Sequence, residues 1–380
     1  MRPESIQDSL KPLRIVQTCS DFGLGGIARH AFDLSTWLKA RGHDLYLAGT
    51  PDEWAGEWAE DRFLPIPTRY VGGDGGTLPR RLANAGRGAA ALRRWLVSSQ
   101  IDVIHAHESA PALVALLARL NLNIPLVVTY HGSDPQRIKG FGTIARHADL
   151  VVTPSHRAAD DLAEIAGIPQ DKLRVIGLGI KPPPSDTAED VAALRDTLLR
   201  GGTHLVVSLA RVAYQKGIDV LIDCVARLKD THPGYRFVVV GDGPLDQEMR
   251  ALATQRGLDE HLFFAGRTEV PYRYLRAADL MLLTSRWEAL PISIAEAFQV
   301  GTPVVATDCS GVHELVHDTV GACVPIGDVA AITQAVEHIL EDDQKRADMA
   351  ARALDRSKES RFDPDHINRQ IEALYFSLLD

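Results

Sequence analysis

The sequence predicts an α/β protein made of two parallel sheets, one in each half, facing a shared cleft. Three observations carry that expectation. The chain has 380 residues, more than one hydrophobic core usually organises. Short apolar runs alternate with amphipathic stretches in both halves, the pattern of strands and covering helices. Between the halves lies Lys181-Pro182-Pro183-Pro184, which continues neither helix nor ladder and reads as a stiff connector. Residues 1–181 and 182–361 are therefore expected to form separate domains. Hydrophobic residues at 45% and charged residues at 24% fit a folded protein, not a disordered one.

Taken in order, residues 13–18 read as a buried strand, 23–26 as a glycine loop and 27–41 as an amphipathic helix. Further strands are expected at 44–48, 103–106, 126–129 and 150–153, with helices at 78–97, 111–120 and 155–166. After the connector the alternation resumes, with strands at 205–209, 237–240, 262–264, 280–283 and 304–306. Helices are expected at 217–228, 245–255 and 292–300. The charged stretch 341–361 is helical in pattern, and residues 367–379 place Ile367, Ile371, Leu374, Phe376 and Leu378 for partial burial. No fixed-period repeat is visible, which sets solenoids and propellers aside.

A formal net charge of −9 repels polyanions and argues against nucleic acid as partner. Cys19, Cys224, Cys309 and Cys323 lie far apart with no metal-ligand spacing, as expected for reduced thiols in a cytoplasm. Residues 1–11 are polar with no apolar leader core, and no stretch is long enough to span a bilayer, so any membrane contact is expected to be peripheral. One helix carries Arg80, Arg81, Arg87, Arg93 and Arg94 beside Leu82, Leu92, Trp95 and Leu96. That pattern fits docking on an anionic membrane surface; a solvated charged face accounts for it more simply.

Parallel sheets bind ligands beyond the carboxyl ends of their strands, so the loops after each apolar run hold the candidate residues. Ser20-Asp21-Phe22-Gly23-Leu24-Gly25-Gly26 brings backbone amides and a helix N-terminus together, which suits a phosphate or developing anion, although tight-turn geometry explains the glycines equally well. It is not the dinucleotide fingerprint: the spacing differs and no acidic residue closes the second strand. Thr129-Tyr130-His131-Gly132-Ser133-Asp134 places an imidazole and a carboxylate at a strand end, both able to bond a sugar hydroxyl. His105 and His107 share a strand face without a third ligand and read as cleft wall or core.

In the second half, Arg211 closes a strand and Lys216 precedes Gly217 at a helix start, a cation pair able to neutralise a diphosphate without metal. Gly241-Asp242-Gly243-Pro244 is a second glycine turn, with Pro244 expected in the first turn of the next helix. Ser285-Arg286-Trp287-Glu288-Ala289-Leu290-Pro291-Ile292-Ser293-Ile294-Ala295-Glu296 is the most informative stretch. Pro291 suits the first helical position, so Glu288 lies in the loop and Glu296 within an apolar helix. A carboxylate in such a place needs a compensating partner, and the paired hydroxyls of a ribose are one.

Glu288 and Glu296, separated by seven residues and preceded by Arg211 and Lys216, resemble the signature of the large group-1 family of retaining GT-B glycosyltransferases. Gly25-Gly26, His131 in Tyr-His-Gly-Ser-Asp, the Pro-rich connector and a terminal helix after Phe362-Asp363-Pro364 extend the resemblance over nearly the whole chain. It implies two Rossmann-like domains, with a final helix at 362–380 crossing back onto the first, and a metal-independent donor site mainly in the second. Arg211 and Lys216 would then bind the donor diphosphate, Glu296 the ribose and Glu288 the sugar. His131 would stand near the sugar, and Gly25 and Gly26 near the phosphate or acceptor. Glu288, His131, Arg211 and Lys216 form the implied catalytic set; Leu290, Pro291 and Ile292 complete the donor side, and Ser133 and Asp134 lie toward the acceptor. No cofactor or metal is expected beyond the nucleotide-sugar co-substrate. Many members carry glycines where this chain has Ala289 and Pro291, and Pro291 has no amide to offer a sugar hydroxyl. The rival readings are a nucleotide-sugar epimerase or a phosphorylase on the same plan, or a nucleotide-sugar-binding protein without catalysis.

Overall fold

The computed structural model describes residues 11–379 apart from 24, 25, 59, 73 and 74. The leader reading for residues 1–11 therefore falls almost wholly outside the described residues, as does the candidate Gly25. The strands are β1 (Arg14–Asp21), β2 (Asp44–Thr50), β3 (Phe63–Pro65), β4 (Val103–His107), β5 (Leu126–Thr129), β6 (Leu150–Thr153), β7 (Leu173–Val175), β8 (His204–Leu209), β9 (Tyr235–Val240), β10 (Leu262–Gly266), β11 (Leu280–Leu283), β12 (Val304–Thr307) and β13 (Gly321–Val324). The helices of the first half are α1 (Gly26–Ala40), α2 (Leu78–Ser98), α3 (Ser109–Ala118), α4 (Ile138–Ala145) and α5 (His156–Glu164). Then follow α6 (Ala188–Leu199), α7 (Ile218–Leu228), α8 (Asp246–Gln255), α9 (Pro271–Ala277), α10 (Ile292–Gln299), α11 (Val329–Leu340), α12 (Asp343–Arg356) and α13 (Pro364–Ser377).

Among the described residues the strands form a seven-stranded sheet ordered β3-β2-β1-β4-β5-β6-β7 and a six-stranded sheet ordered β10-β9-β8-β11-β12-β13. All of these pairings are parallel. Every residue of β5, β6, β11 and β12 is buried, which is why these strands read as unbroken apolar runs. The strand order reverses between β1 and β4 in one sheet and between β8 and β11 in the other. Loops leaving those strands part to opposite faces and open a crevice, so the topology itself brings together the loops after β8 and β11.

Elements missed by the sequence reading are mostly short or marginal. β3 and β7 have only three residues, none of them buried, so no periodic signal develops. α6 has no buried residue. Two proline placements are corrected. Pro291 is the N-cap of α10, with φ −74° and ψ 112°, one position before the helix proper. Pro244 precedes α8, whose N-cap is Leu245.

The first sheet has a core on each face, and the second half has one large core. Phe362 belongs to the second-half core, whereas Ile367, Ile371 and Tyr375 on α13 pack with Ile15, Leu34, Val103 and Val127 of the first half. The chain thus returns to the first sheet within one turn of Phe362. There it lies beside the outgoing connector: the Ile180 amide donates to the Phe362 carbonyl at 3.0 Å. Burial of Tyr375 was not legible in the helical pattern, which marked its neighbours Leu374 and Phe376 instead.

The four cysteines are free, and all but Cys323 are buried. Among the described residues no helix is long and apolar enough to cross a membrane. Of the five arginines on α2, Arg81 donates to the Val71 carbonyl, Arg87 to Asn84, and Arg93 to the carbonyls of Ala118 and Leu120. Three of the five charges thus tie the helix to itself or to its neighbours.

Candidate functional site

The loops after β8 and β11 meet because their strands are neighbours. Arg211 follows β8 and is exposed, with no side-chain partner among the described residues. Lys216 closes a short 3₁₀ turn, and Gly217 turns the chain into α7 with φ 62°. A side chain at Gly217 would put its Cβ 2.1 Å from the Thr284 carbonyl oxygen, so only glycine allows this loop to seat against the end of β11. The Lys216 ammonium pairs with Glu288 Oε1, and the same oxygen accepts from Ser285 Oγ at 2.7 Å. Glu288 is 7% exposed, and a buried carboxylate is tolerated because both partners compensate it.

The surrounding backbone is laced. Arg286 forks onto Asp219 at 2.9 and 2.5 Å and donates to the Tyr214 carbonyl at 2.8 Å. Gln215 donates to the Trp287 carbonyl at 3.0 Å, and the Arg286 amide to the Gln215 carbonyl at 2.7 Å. This holds the Lys216 and Glu288 loops as one preformed unit. Nothing in the spacing of Ser285 and Arg286 along the sequence reveals that they brace this loop.

Glu296 is the fifth residue of α10 and only partly exposed. It has no hydrogen-bond or ion-pair partner among the described residues. Burial pushes its carboxyl up to about 7, partly opposed by the positive charge of Arg29 from α1 across the cleft. Gly26, the first residue of α1, faces Ile292, the first of α10: a Cβ there would lie 3.9 Å from Ile292 Cδ1. Leu290 and Pro291 are buried just before the helix. The amide-bearing start of α10, Glu296 and the start of α1 therefore share one region.

The loop after β5 closes against this unit. Gly132 has φ 94°, and a Cβ on it would stand 2.8 Å from the Ala289 amide nitrogen. Ser155 Oγ donates to the Ala289 carbonyl at 3.0 Å from the first half as well. Ala289 is thus one point at which the two halves touch, and it sets His131 one residue from the Glu288 loop. Gly132→Ala is expected to lose about 1–3 kcal/mol of stability through positive-φ strain and to push the His131 loop away from Ala289. A melt together with kcat checks this; an unchanged melt would mean that the loop relaxes freely.

Ser133 and Asp134 are engaged locally. The Ser133 amide donates to the Tyr130 hydroxyl at 2.9 Å, and Asp134 caps the following turn by accepting from the Gln136 amide at 2.9 Å. His105 and His107 are fully buried and are core rather than cleft wall. Glu108 follows β4 at the N-cap of α3 with φ 76° and ψ −179°, a region that non-glycine residues rarely occupy. Burial and, secondarily, Asp21 raise its carboxyl to about 7. Among the described residues no cluster of three or more His, Cys, Asp or Glu is arranged to hold a metal ion.

Two family models match consecutive parts of the chain: Glycosyltransferase Family 4 over residues 24–182 and Glycosyl transferases group 1 over residues 192–356. The alpha-D-kanosaminyltransferase of Streptomyces kanamyceticus is 28% identical over 316 residues, covering 76% of this chain and 81% of that protein. The phosphatidyl-myo-inositol mannosyltransferase of Mycobacterium leprae is 27% identical, with 92% of both chains covered. In three dimensions, Anabaena Alr3699/HepE in complex with UDP-glucose superposes with a TM-score of 0.80 over 96% of this chain and 100% of that one, at 24% identity. A glycosyltransferase from Rickettsia africae gives 0.80 over 98% and 100%, at 19% identity. Two facing parallel sheets, a terminal helix recrossing to the first, and sequence matches running through both halves agree: the chain belongs to the group-1 glycosyltransferases, and its fold is GT-B.

Proposed function

We propose that this glycosyltransferase moves a sugar from a nucleotide-sugar donor to a hydroxyl of a glycan, lipid-linked or small-molecule acceptor in polysaccharide or glycoconjugate biosynthesis. It does so with retention at the anomeric carbon and without a metal. The observation that carries this reading is the conjunction at the β8/β11 switch point: Lys216 bound to Glu288, an unpartnered Glu296 eight residues on, and the exposed Arg211 on the same loop as Lys216. Residues 182–361 are read as the donor side, and residues 1–181 with 362–380 as the acceptor side.

Breaking the bond between sugar and diphosphate builds negative charge on the phosphate and positive charge on the ring. Arg211 and the two ammonium hydrogens of Lys216 not used by Glu288 would stabilise the first. Glu296 would accept from both ribose hydroxyls, and Glu288 would hold sugar hydroxyls near the growing positive charge. A carboxylate already bound by an ammonium and a hydroxyl is a weak nucleophile, which favours attack by the acceptor on the face the diphosphate leaves.

The test is a thermal-shift screen of UDP-, GDP- and ADP-sugars with Mg²⁺ and with EDTA, followed by proton NMR of the product. A ligand at about 100 times its Kd adds roughly 2.7 kcal/mol to the native state. The expected result is stabilisation by one nucleotide class, indifferent to metal, and a product of unchanged anomeric configuration. An inverted product overturns retention, and stabilisation without turnover on any acceptor favours a binding protein.

A further inference from the structure

Beneath His131 lies a file of polar side chains in what is otherwise an apolar core. Gln17 on β1, His105 and His107 on β4 and Tyr375 on α13 are each fully buried. Gln17 and His105 are register partners, so they stand side by side on the face that α13 covers. Four buried polar side chains in a core cost stability unless each is satisfied. These are satisfied by one another. Gln17 Nε2 donates to the Tyr375 hydroxyl at 3.1 Å, which contacts His105 Nδ1 at 2.6 Å; His105 Nε2 contacts Thr129 Oγ1 at 2.6 Å. Gln17 Oε1 contacts His107 Nε2 at 2.8 Å, and His107 Nδ1 contacts His131 Nε2 at 3.0 Å.

With Gln17 Nε2 on Tyr375 and Oε1 on His107, the protons in this file run one way. Gln17 Oε1 only accepts, so His107 carries its proton on Nε2. Burial lowers the affinity of His105, His107 and His131 for a second proton, and each ring is neutral. His107 Nδ1 is then an acceptor, and His131 must donate from Nε2. That leaves His131 Nδ1 as a bare lone pair, the ring nitrogen at which the file ends with no partner among the described residues. At the other end, the Tyr375 hydroxyl accepts from Gln17 and gives its own proton to His105 Nδ1, so His105 donates from Nε2 to Thr129.

We propose that Gln17 and Tyr375 are positioning residues which, acting through His107, hold His131 in the Nε2–H tautomer, so that it meets the substrate as a hydrogen-bond acceptor. The inference rests on the transferase reading only for the identity of that substrate: a sugar bearing a free hydroxyl, not an acylated or deoxygenated carbon, at the position facing Nδ1. Tyr375 reaches the file from the helix that follows the donor side, so the seat of α13 and the state of His131 are linked.

Long-range proton–nitrogen NMR of the histidine rings in the full chain tests this directly, with the His131 signals assigned by their loss in His131→Ala. The expected wild-type result is an Nε2–H tautomer for His107 and His131. An Nδ1–H tautomer at His131 overturns the proposal, and this outcome is read in the wild-type chain. Gln17→Leu and Tyr375→Phe are expected to shift His131 toward a mixture of tautomers and to lower kcat about two- to tenfold, the range for one buried hydrogen bond, with nucleotide affinity unchanged. Gln17→Glu keeps an acceptor for His107 and is expected to retain the wild-type tautomer. Variants that melt earlier while keeping tautomer and kcat would show a purely structural file and sink the idea. A correct tautomer in a chain that transfers no sugar would leave the positioning intact and remove the functional reading instead.

Discussion

Lys216→Ala is expected to lose both catalysis and stability, whereas Arg211→Ala loses catalysis alone. The two cations are assigned the same role, stabilising the departing diphosphate, and removing one such preorganised charge costs about 10²–10³ in kcat. Their surroundings differ. Arg211 is exposed and has no side-chain partner among the described residues, so its removal strands nothing and the melt should stay where it is. Lys216 is the ionic partner of Glu288, which is only 7% exposed. Its loss leaves a buried carboxylate with the Ser285 hydroxyl alone. Breaking a buried pair costs about 3–5 kcal/mol, and the lower end applies because Ser285 remains and Lys216 keeps some solvent contact. Steady-state kinetics beside calorimetric melts of both variants check this. Equal melts would mean that the ion pair holds nothing in place, and full activity in Arg211→Ala would remove Arg211 from the donor site.

The second large effect is a pH dependence of donor affinity set by Glu296. The carboxylate is the form that accepts from two ribose hydroxyls, yet in the free protein burial lifts this group to about 7. Donor binding must then displace a proton below neutrality, and affinity is expected to fall roughly tenfold between pH 8 and pH 6. A nucleotide sugar is the right probe because its diphosphate diester does not itself titrate there. Glu296→Gln is expected to bind more weakly at pH 8 but with a flat profile.

The stability of the unliganded protein moves the opposite way. The folded pKa lies above the ordinary carboxyl value, so the native state holds this proton more tightly than the unfolded chain. The stabilising contribution is complete below the unfolded value of 4.5 and is lost as pH rises through about 7. Relative to wild type, Glu296→Gln should therefore melt later at pH 8 and equally at pH 4.5. Titration calorimetry and melts across this range check both signs, and a pH-independent wild-type affinity would mean that Glu296 is not the ribose ligand.

The chain's alternation of apolar runs and amphipathic stretches was sufficient to predict two parallel sheets, because strands covered on both faces leave continuous runs such as Leu126–Thr129 and Leu280–Leu283. The proline run located the connector for an equally local reason: residues without amides cannot extend a helix or a ladder. Lys216, Glu288 and Glu296 were legible as candidates because cations at a strand end and glutamates around a helix start are unusual places for charge. Each of these signals lies within a dozen residues of chain.

What only the tertiary structure decided depends on residues far apart in sequence. The Lys216–Glu288 pair spans 72 residues and follows from β8 and β11 being neighbours, an order that no local pattern encodes. Gly132 against Ala289 joins loops from opposite halves. Gln17, His107 and Tyr375 meet only because a helix from the end of the chain lies over β1 and β4; Tyr375 and His105 are 270 positions apart. The sequence by itself determined which segments become strands and helices, since that is settled by hydrophobic periodicity over a few residues. The state of each functional side chain was decided by tertiary contact, because ion pairing, burial and proton direction are properties of neighbours in space.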